Sequence, residues 1–268
     1  MLLGAHVPNA DPIAEAVERE ADVVQFFLSD PQSWRKPAPR EDAAALRASA
    51  LPLYVHAPYL VNVASPNNRI RIPSRRILQE TCDAAAEIAA TAVIVHGGHT
   101  GEETPPEEGI RHWRKALRVL ETEVPVYIEN TAGGTNAMAR DFDLLGQLWE
   151  ALDGLSVGFC LDTCHAHAAG EELGTAVERL RSLIGGIDLV HVNNSKDPSG
   201  SGRDRHERVG SGTIDPDVLV DVVRAAGVPA IIETPGGASD HAEDLTWLRR
   251  RVDGAAERER PLGYLPRR

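Results

Sequence analysis

The sequence predicts an α/β fold, a single-domain (β/α)8 or TIM barrel with its active site at the C-terminal ends of the strands, and three observations predict it. Apolar runs of strand length alternate with amphipathic runs of helix length along nearly the whole chain, the pattern of a parallel sheet with crossover helices. Eight such pairs can be read off, the number that closes a barrel. The apolar centres of the strand runs are almost unbroken, as suits strands covered on both faces. At 268 residues the chain has the length of one such domain, residues 1–268.

LLGAHV (2–7) is the first strand, and Pro12 after Asp11 opens a helix over 11–20. ADVVQFFL (21–28) and LPLYVHAP (51–58) are rich in β-branched and aromatic residues and flank a helix over 40–49. A helix over 74–90 leads to AVIVHGG (92–98), and the acidic Glu107 and Glu108 mark the first turn of the next helix, 106–121. PVYIENT (125–131), a helix over 139–152 and VGFCLDTCH (157–165) follow, then a helix over 171–184 and DLVHVNNS (188–195). A helix over 215–226, the strand AIIETPG (230–236) and a helix over 239–252 complete the eight pairs. The two longest connections, 59–73 and 196–212, hold much of the local basic character and follow strand ends, where barrel enzymes keep substrate contacts. From about residue 254 the tail is charged and contains proline, so a loosely held terminus is expected.

Cys82, Cys160 and Cys164 form an odd set without zinc-ribbon spacing, which argues against a disulfide framework and for a reducing compartment. The first residues lack a basic, apolar leader, and no run approaches the roughly 20 apolar residues of a membrane span. A soluble cytoplasmic protein with no membrane partner is expected. The formal net charge of −12 excludes binding nucleic acid through a broad basic face. It leaves open a site where divalent cations offset the local acids.

The chemistry collects at the strand ends, which carry His6, His56, His96, Glu129 with Asn130, Asp162 with His165, His191 with Asn193, and Glu233. Ten histidines in 268 residues would put about one in the roughly 24 end positions of eight strands by chance. Five of the ten are there: His6, His56, His96, His165 and His191. A barrel brings these ends to one face, so residues far apart in sequence can share a pocket. Asp204 and His206, in the RDRHE segment of the 196–212 connection, add one carboxylate and one imidazole. Imidazole and carboxylate without thiolate is a donor set for zinc, manganese or iron. His56, His96, Glu129, Asp162, His165, His191, Asp204, His206 and Glu233 exceed the needs of one tetrahedral ion, so two or three ions are expected. Such a cluster suits hydrolysis, clamping a phosphoryl group and activating water.

Taken singly, each of these residues has a plainer reading as a satisfied loop histidine or a surface acid; the set is what points to a site. His6, His99 and His167 are expected to be hydrogen-bonding neighbours of the ligands or plain loop residues. His112 and His241 fall in helical stretches and are expected in solvent, and Cys160 and Cys164 are expected to pack as small buried residues. Arg69, Arg71, Arg75 and Arg76 follow the third strand, which favours phosphate contact over a merely solvated face.

HAPYLVN, VIVHGG, IENTAG, CLDTCHAHAAG, HVNNSK, DRH and IIET occur in the order and places found in the endonuclease IV family of zinc-dependent apurinic/apyrimidinic endonucleases. The chain resembles that family from GAHV to its last helix; IENTAG and LDTCHA are specific, a lone strand-end histidine is not. The resemblance implies a site of three zinc ions, with manganese an alternative at one or more positions. His56 and His96 would bind one ion, Glu129 would bridge it to a second, Asp162, His191 and Glu233 would complete the second, and His165, Asp204 and His206 would hold the third. It implies cleavage of double-stranded DNA on the 5′ side of an abasic site, leaving a 3′-hydroxyl, and removal of blocking groups from 3′ ends. Glu129 and Glu233 would be the catalytic carboxylates, with an activated water attacking phosphorus in line and no side-chain nucleophile. A monomer is implied, and no exposed apolar stripe argues otherwise.

Members of the family bend the duplex, expel the abasic nucleotide and insert loop side chains where it stood. The resemblance assigns this to Tyr59 and Leu60, with Trp34 matching a tryptophan after the second strand. Gln32 stands where well-known members place a wedging arginine, with Arg35 nearby to substitute, and Arg203 and Arg205 flank Asp204 as further DNA contacts. Asn194 stands where many members have aspartate. Neither departure falls on a donor, so both bear on substrate handling. The barrel and its donors also resemble metal-dependent sugar and sugar-phosphate isomerases and epimerases, but nine donors are more than an isomerase requires. A non-enzymatic binding protein is a third reading, and dense donors with an open metal position argue against it.

Overall fold

Eight short strands close into a parallel ring: β1 (Leu3–His6), β2 (Val23–Phe27), β3 (Leu53–His56), β4 (Ala92–His96), β5 (Val126–Glu129), β6 (Gly158–Asp162), β7 (Leu189–His191) and β10 (Ala230–Ile232). Pairing of β1 with both β2 and β10 seals it. Two further strands, β8 (Asn194–Ser195) and β9 (His206–Glu207), lie outside the ring and pair antiparallel with each other. The structure is a computed structural model and describes residues 1–258. The helices are α1 (Pro12–Glu18), α2 (Ala43–Ala48), α3 (Asn68–Glu87), α4 (Pro106–Val119), α5 (Phe142–Ala151), α6 (Thr163–Ala169), α7 (Leu173–Ile184), α8 (Pro216–Ala226) and α9 (Ala238–Arg258). Among the described residues, no helix is long and apolar enough to cross a membrane.

Side chains along a strand alternate between its two faces, and this period of two positions the site. One set of alternate residues packs against the helices in a continuous core that includes Val24, Phe26, Val55, Val93, Val95, Ile128, Phe159, Leu161 and Val190. The other set fills the barrel with an apolar plug of Val23, Tyr54, Ala92, Ile94, Cys160, Leu189 and Ile231. Two residues beyond plug members come Gln25, His56, His96, Asp162, His191 and Glu233, so the polar layer sits directly on the plug. Gly4 keeps β1 and β2 close, since a Cβ there would lie 1.7 Å from the Val23 carbonyl oxygen.

Several helix ends follow from their sequences. Asp11 and Asp141 cap α1 and α5 through their side chains, Asp215 caps α8 with Pro216 next to it, and Gly170, Gly185 and Gly227 end α6, α7 and α8 in the left-handed conformation.

Four elements differ from expectation. α3 starts at Asn68 instead of 74, which shortens the 59–73 connection; Asn67 caps it by accepting from Arg69 N at 2.9 Å, and Pro73 is carried inside the helix. The run read as one strand to His165 stops at Asp162 and turns into α6. The seventh run likewise breaks after His191, and its last two residues leave the barrel to form β8. α9 continues past 252 to Arg258, so residues 254–258 of the expected loose terminus are helical, and the rest of that stretch, 259–268, lies outside the described residues.

Candidate metal centre

All nine expected donors meet at the C-terminal mouth of the barrel, in overlapping groups whose ligand atoms lie within 4.8 Å of one another. His56, His96 and Glu129 form one group, and Glu129, Asp162, His191 and Glu233 form a second. Asp162, His165 and His206 form a third, which Asp204 joins at 3.2 Å from His165 Nε2 and 3.1 Å from His206 Nε2. Glu129 thus belongs to two groups. Asp162 also belongs to two, where the sequence reading gave it to the second alone.

Local structure explains how each donor is aimed. Register places His96 opposite Glu129 and Asp162 opposite His191. Asp162 is both the last residue of β6 and the cap of α6, accepting from His165 N at 2.7 Å. That first turn swings His165 over the mouth, which a straight strand would not do. Asn130 receives Asp162 N on Oδ1 at 2.7 Å and donates Nδ2 to the Asp162 carbonyl at 2.9 Å. Asn193 donates to Asp162 Oδ2 at 2.7 Å and receives Glu233 N at 2.7 Å. The β8–β9 ribbon sets Ser195 opposite His206 and so returns the 196–212 connection to the mouth.

Glu129 Oε2 is 3.0 Å from His56 Nε2 and 3.4 Å from His96 Nε2, while its Oε1 is 3.2 Å from both His165 Nδ1 and His191 Nδ1. Burial alone would raise its pKa, but these imidazoles, His191 and His96 foremost, hold the carboxyl well below the usual range. Glu233 is similarly held low against its own burial by His191 and His6. Asp162 is pushed up by burial. His96 is driven down to about 4 by burial, and His206 rises to about 9 against its burial because Asp162 and Asp204 face it.

The donors fit divalent metal. Four carboxylates share one pocket, two of them, Glu129 and Asp162, fully buried, a charge density that unpaired burial would make very costly. His165 Nε2 and His206 Nε2 are buried without a hydrogen-bond partner, although Asp204 oxygens lie 3.2 and 3.1 Å from them. Unpartnered ring nitrogens this close to a carboxylate fit co-ligands of one ion. Nitrogen and oxygen donors in this mixture suit zinc or manganese. Cys160 and Cys164 are buried and unpaired, with burial raising both thiols to about 12; Cys164 Sγ nevertheless lies within the same span of Asp204 and His206.

A cavity of about 360 Å³ opens beside the donors, with Tyr59, Asn62, His96, Thr131, His165 and Asp204 in its wall. Tyr59 is 53% exposed and its ring stacks on His96 at 5.9 Å between centroids. Leu60 lines the same cavity. Gln32, Trp34 and Arg35 are exposed on the segment after β2. Arg203 and Arg205 are exposed but both reach Asp197, Arg205 through two bonds of 2.6 and 2.5 Å, so Arg205 braces its own loop instead of presenting a free guanidinium.

The other neighbours divide. His6 Nδ1 is 3.2 Å from Glu233 and His167 Nε2 is 3.2 Å from the Asp197 carbonyl, as supporting residues should be, while His99 is exposed. His112 and His241 are not solvated: His112 Nδ1 donates to the Ala64 carbonyl at 3.0 Å, and the buried His241 bridges Arg19 and the Thr234 carbonyl. Of the four basic residues, Arg71 binds the Ser65 and Pro66 carbonyls and Arg75 the His112 carbonyl, which commits them to the fold and leaves Arg69 and Arg76 exposed. Sequence reasoning missed Gln25, the single polar residue in VVQFF, whose amide touches His6, His191 and Glu233. That lone polar side chain in a buried strand was the available signal.

The family model described as the xylose isomerase-like TIM barrel matches residues 13–251. A probable endonuclease 4 of Mycobacterium tuberculosis is 59% identical over 252 residues, covering 94% of this chain and 99% of that protein. The crystal structure of endonuclease IV from Thermus thermophilus superposes with a TM-score of 0.82 at 28% identity, covering 95% of this chain and 100% of the other. A D-tagatose 3-epimerase-like protein superposes at 0.78 with 18% identity over 96% of this chain and 99% of its own, a likeness of fold alone.

Proposed function

The chain belongs to the endonuclease IV family of xylose isomerase-like TIM barrels, and from this we propose that it is a zinc-dependent DNA-repair endonuclease. It incises the phosphodiester 5′ to an abasic site in duplex DNA and clears blocked 3′ ends. The observation that carries the reading is the meeting of nine nitrogen and oxygen donors in groups linked through Glu129 and Asp162. His56 and His96 would hold one ion, Asp162, His191 and Glu233 a second, and His165, Asp204 and His206 a third. Bound zinc, with manganese an alternative, would supply an activated water and neutralise the phosphate charge.

The chain's own residues do the rest. Glu129 stays ionised across the working pH range, because its imidazole neighbours hold its pKa down, and so links the first two groups. Glu233 is fixed by Gln25 and His6 on one oxygen and turns the other toward His191. Tyr59, exposed at the rim, can fill the gap left when a nucleotide leaves the stack, and the cavity beneath it receives the extruded sugar. Extrusion costs least where the base is already missing, which contributes selectivity. Leu60, Gln32, Trp34, Arg35 and Arg203 complete the DNA-facing rim. Three divalent ions would add six positive charges, halving the formal −12. The enzyme works as a monomer in the cytoplasm.

The test is incubation of purified, zinc-loaded protein with a duplex holding one abasic site. Incision on the 5′ side leaving a 3′-hydroxyl is expected. An intact duplex under both zinc and manganese would remove the nuclease reading, and epimerisation of a free sugar would replace it.

A further inference from the structure

Three of the imidazoles at the centre share one arrangement. His56 Nδ1 lies 2.7 Å from the Ala57 carbonyl, His165 Nδ1 2.9 Å from the Asn130 carbonyl, and His206 Nδ1 3.1 Å from the Glu233 carbonyl. A carbonyl only accepts, so each ring carries its proton on Nδ1 and offers Nε2 to the other donors. His191 is turned the other way. Its Nδ1 lies 3.2 Å from Glu129 Oε1 and 3.6 Å from Glu233 Oε2, and its Nε2 lies 2.8 Å from Gln25 Oε1. A side chain does for His191 what the backbone does for the other three.

We propose that Gln25 is a positioning residue of the metal centre, setting the tautomer of His191 and the free oxygen of Glu233 so that both present their donor atoms to the ion they share with Asp162. The inference rests on the metal-dependent reading above and goes beyond it, since Gln25 is no ligand. The amide can sit only one way round. Gln25 Nε2 is 2.6 Å from Glu233 Oε1, and an ionised carboxylate accepts but does not donate, so the NH2 end faces Glu233 and the carbonyl end faces His191. The carbonyl then requires a proton on His191 Nε2, which leaves the Nδ1 lone pair directed at Glu129 and Glu233. The same Nε2 lies 3.0 Å from His6 Nδ1, itself 3.2 Å from Glu233 Oε1, so the amide sits against β1 as well. Gln25 is fully buried, so water cannot take over these bonds if the amide is removed. The register of β2 requires nothing polar here; an apolar side chain of the same length would extend the plug beneath.

Two measurements test this without relying on activity. Chelator competition on the loaded protein should show one ion of three held about 10- to 100-fold more weakly in Gln25→Leu and Gln25→Met, as is usual when a ligand loses its orienting partner, with the other two unchanged. Two-bond proton–nitrogen NMR spectra of loaded wild-type protein should place the His191 ring proton on Nε2, opposite to His56, His165 and His206; this arm needs no variant to fold. Wild-type affinity for every ion in both variants, or a His191 proton on Nδ1, would overturn the proposal. A wild-type protein that binds one ion or none removes the metal-centre reading itself, whereas full loading with unaltered variants removes only the role of Gln25.

Discussion

Stripped of metal, the protein should be most stable near pH 6.5 and lose stability as the pH climbs toward 9. His206 is the clearest contributor: burial works against its charged form, but Asp162 and Asp204 raise its pKa from 6.5 to about 9. A raised histidine stabilises the fold fully below its unfolded value and ceases to do so as the pH passes its folded value, so the loss falls between about 6.5 and 9. At about 1.4 kcal/mol per pH unit this is about 3 kcal/mol, and the His206 side chain is buried enough that solvent does not screen it away. His165 and His191 are also raised well above the ordinary value, and both act in the same direction. On the acid side the sign reverses. His96, held down to about 4 mainly by burial, is neutral in the fold while its unfolded counterpart takes up a proton below 6.5, so stability drops from 6.5 toward 4. For a chain of this length 3 kcal/mol corresponds to a fall in Tm of about 5–6 °C. Metal-loaded protein should not show the alkaline loss, because ligands must be unprotonated to bind and affinity rises with pH. Thermal unfolding by circular dichroism, with and without chelator, reads both curves, and His206→Gln should flatten the chelated one. A chelated protein whose Tm is level or rising between pH 6.5 and 9 would refute the reasoning.

Three substitutions probe separate parts of the site. Glu129→Gln keeps shape but removes the charge that links two donor groups, so incision should fall by at least about 1000-fold, about 4 kcal/mol in the barrier, with abasic-duplex affinity largely retained; an equal loss of binding would make Glu129 structural. Tyr59→Ala should weaken binding to an abasic duplex by about 1–3 kcal/mol, the usual worth of a ring stacked on bases, and unchanged fluorescence anisotropy would exclude that role. Asn194→Asp removes the donor that serves the Val209 and Ile214 carbonyls at 3.3 and 2.9 Å, at a cost of about 1–3 kcal/mol for each buried acceptor left unpaired. The variant should melt earlier and release the ion nearest His206 faster, and wild-type values for both would mean the amide is dispensable.

The donors were legible in the sequence because each barrel strand buries both faces, so a histidine or carboxylate at the end of an apolar run stands out and the ring brings such ends together. What lay beyond reach depended on bonds between distant segments. His165 could be paired with Asp162 by spacing, but only the capping bond from Asp162 turns the chain into α6 and carries the ring over the mouth. Pro73 reads as a helix breaker, yet α3 begins ahead of it because Asn67 caps the first turn. Arg205 looked free for phosphate because its partner, Asp197, is an ordinary loop acid in the sequence. Asn194 looked like a change in substrate handling; its amide receives Ser195 N and Ile214 N and so holds the base of the ribbon that bears His206, with Gly212 packed where any Cβ would meet its Oδ1 at 2.5 Å.

The most direct single measurement is the metal content of protein purified without dialysis or chelator, by mass spectrometry against a quantitative amino-acid analysis. About three ions per chain, zinc with or without manganese, are expected from nine donors in linked groups. One ion or fewer per chain would contradict a metal centre built from these residues.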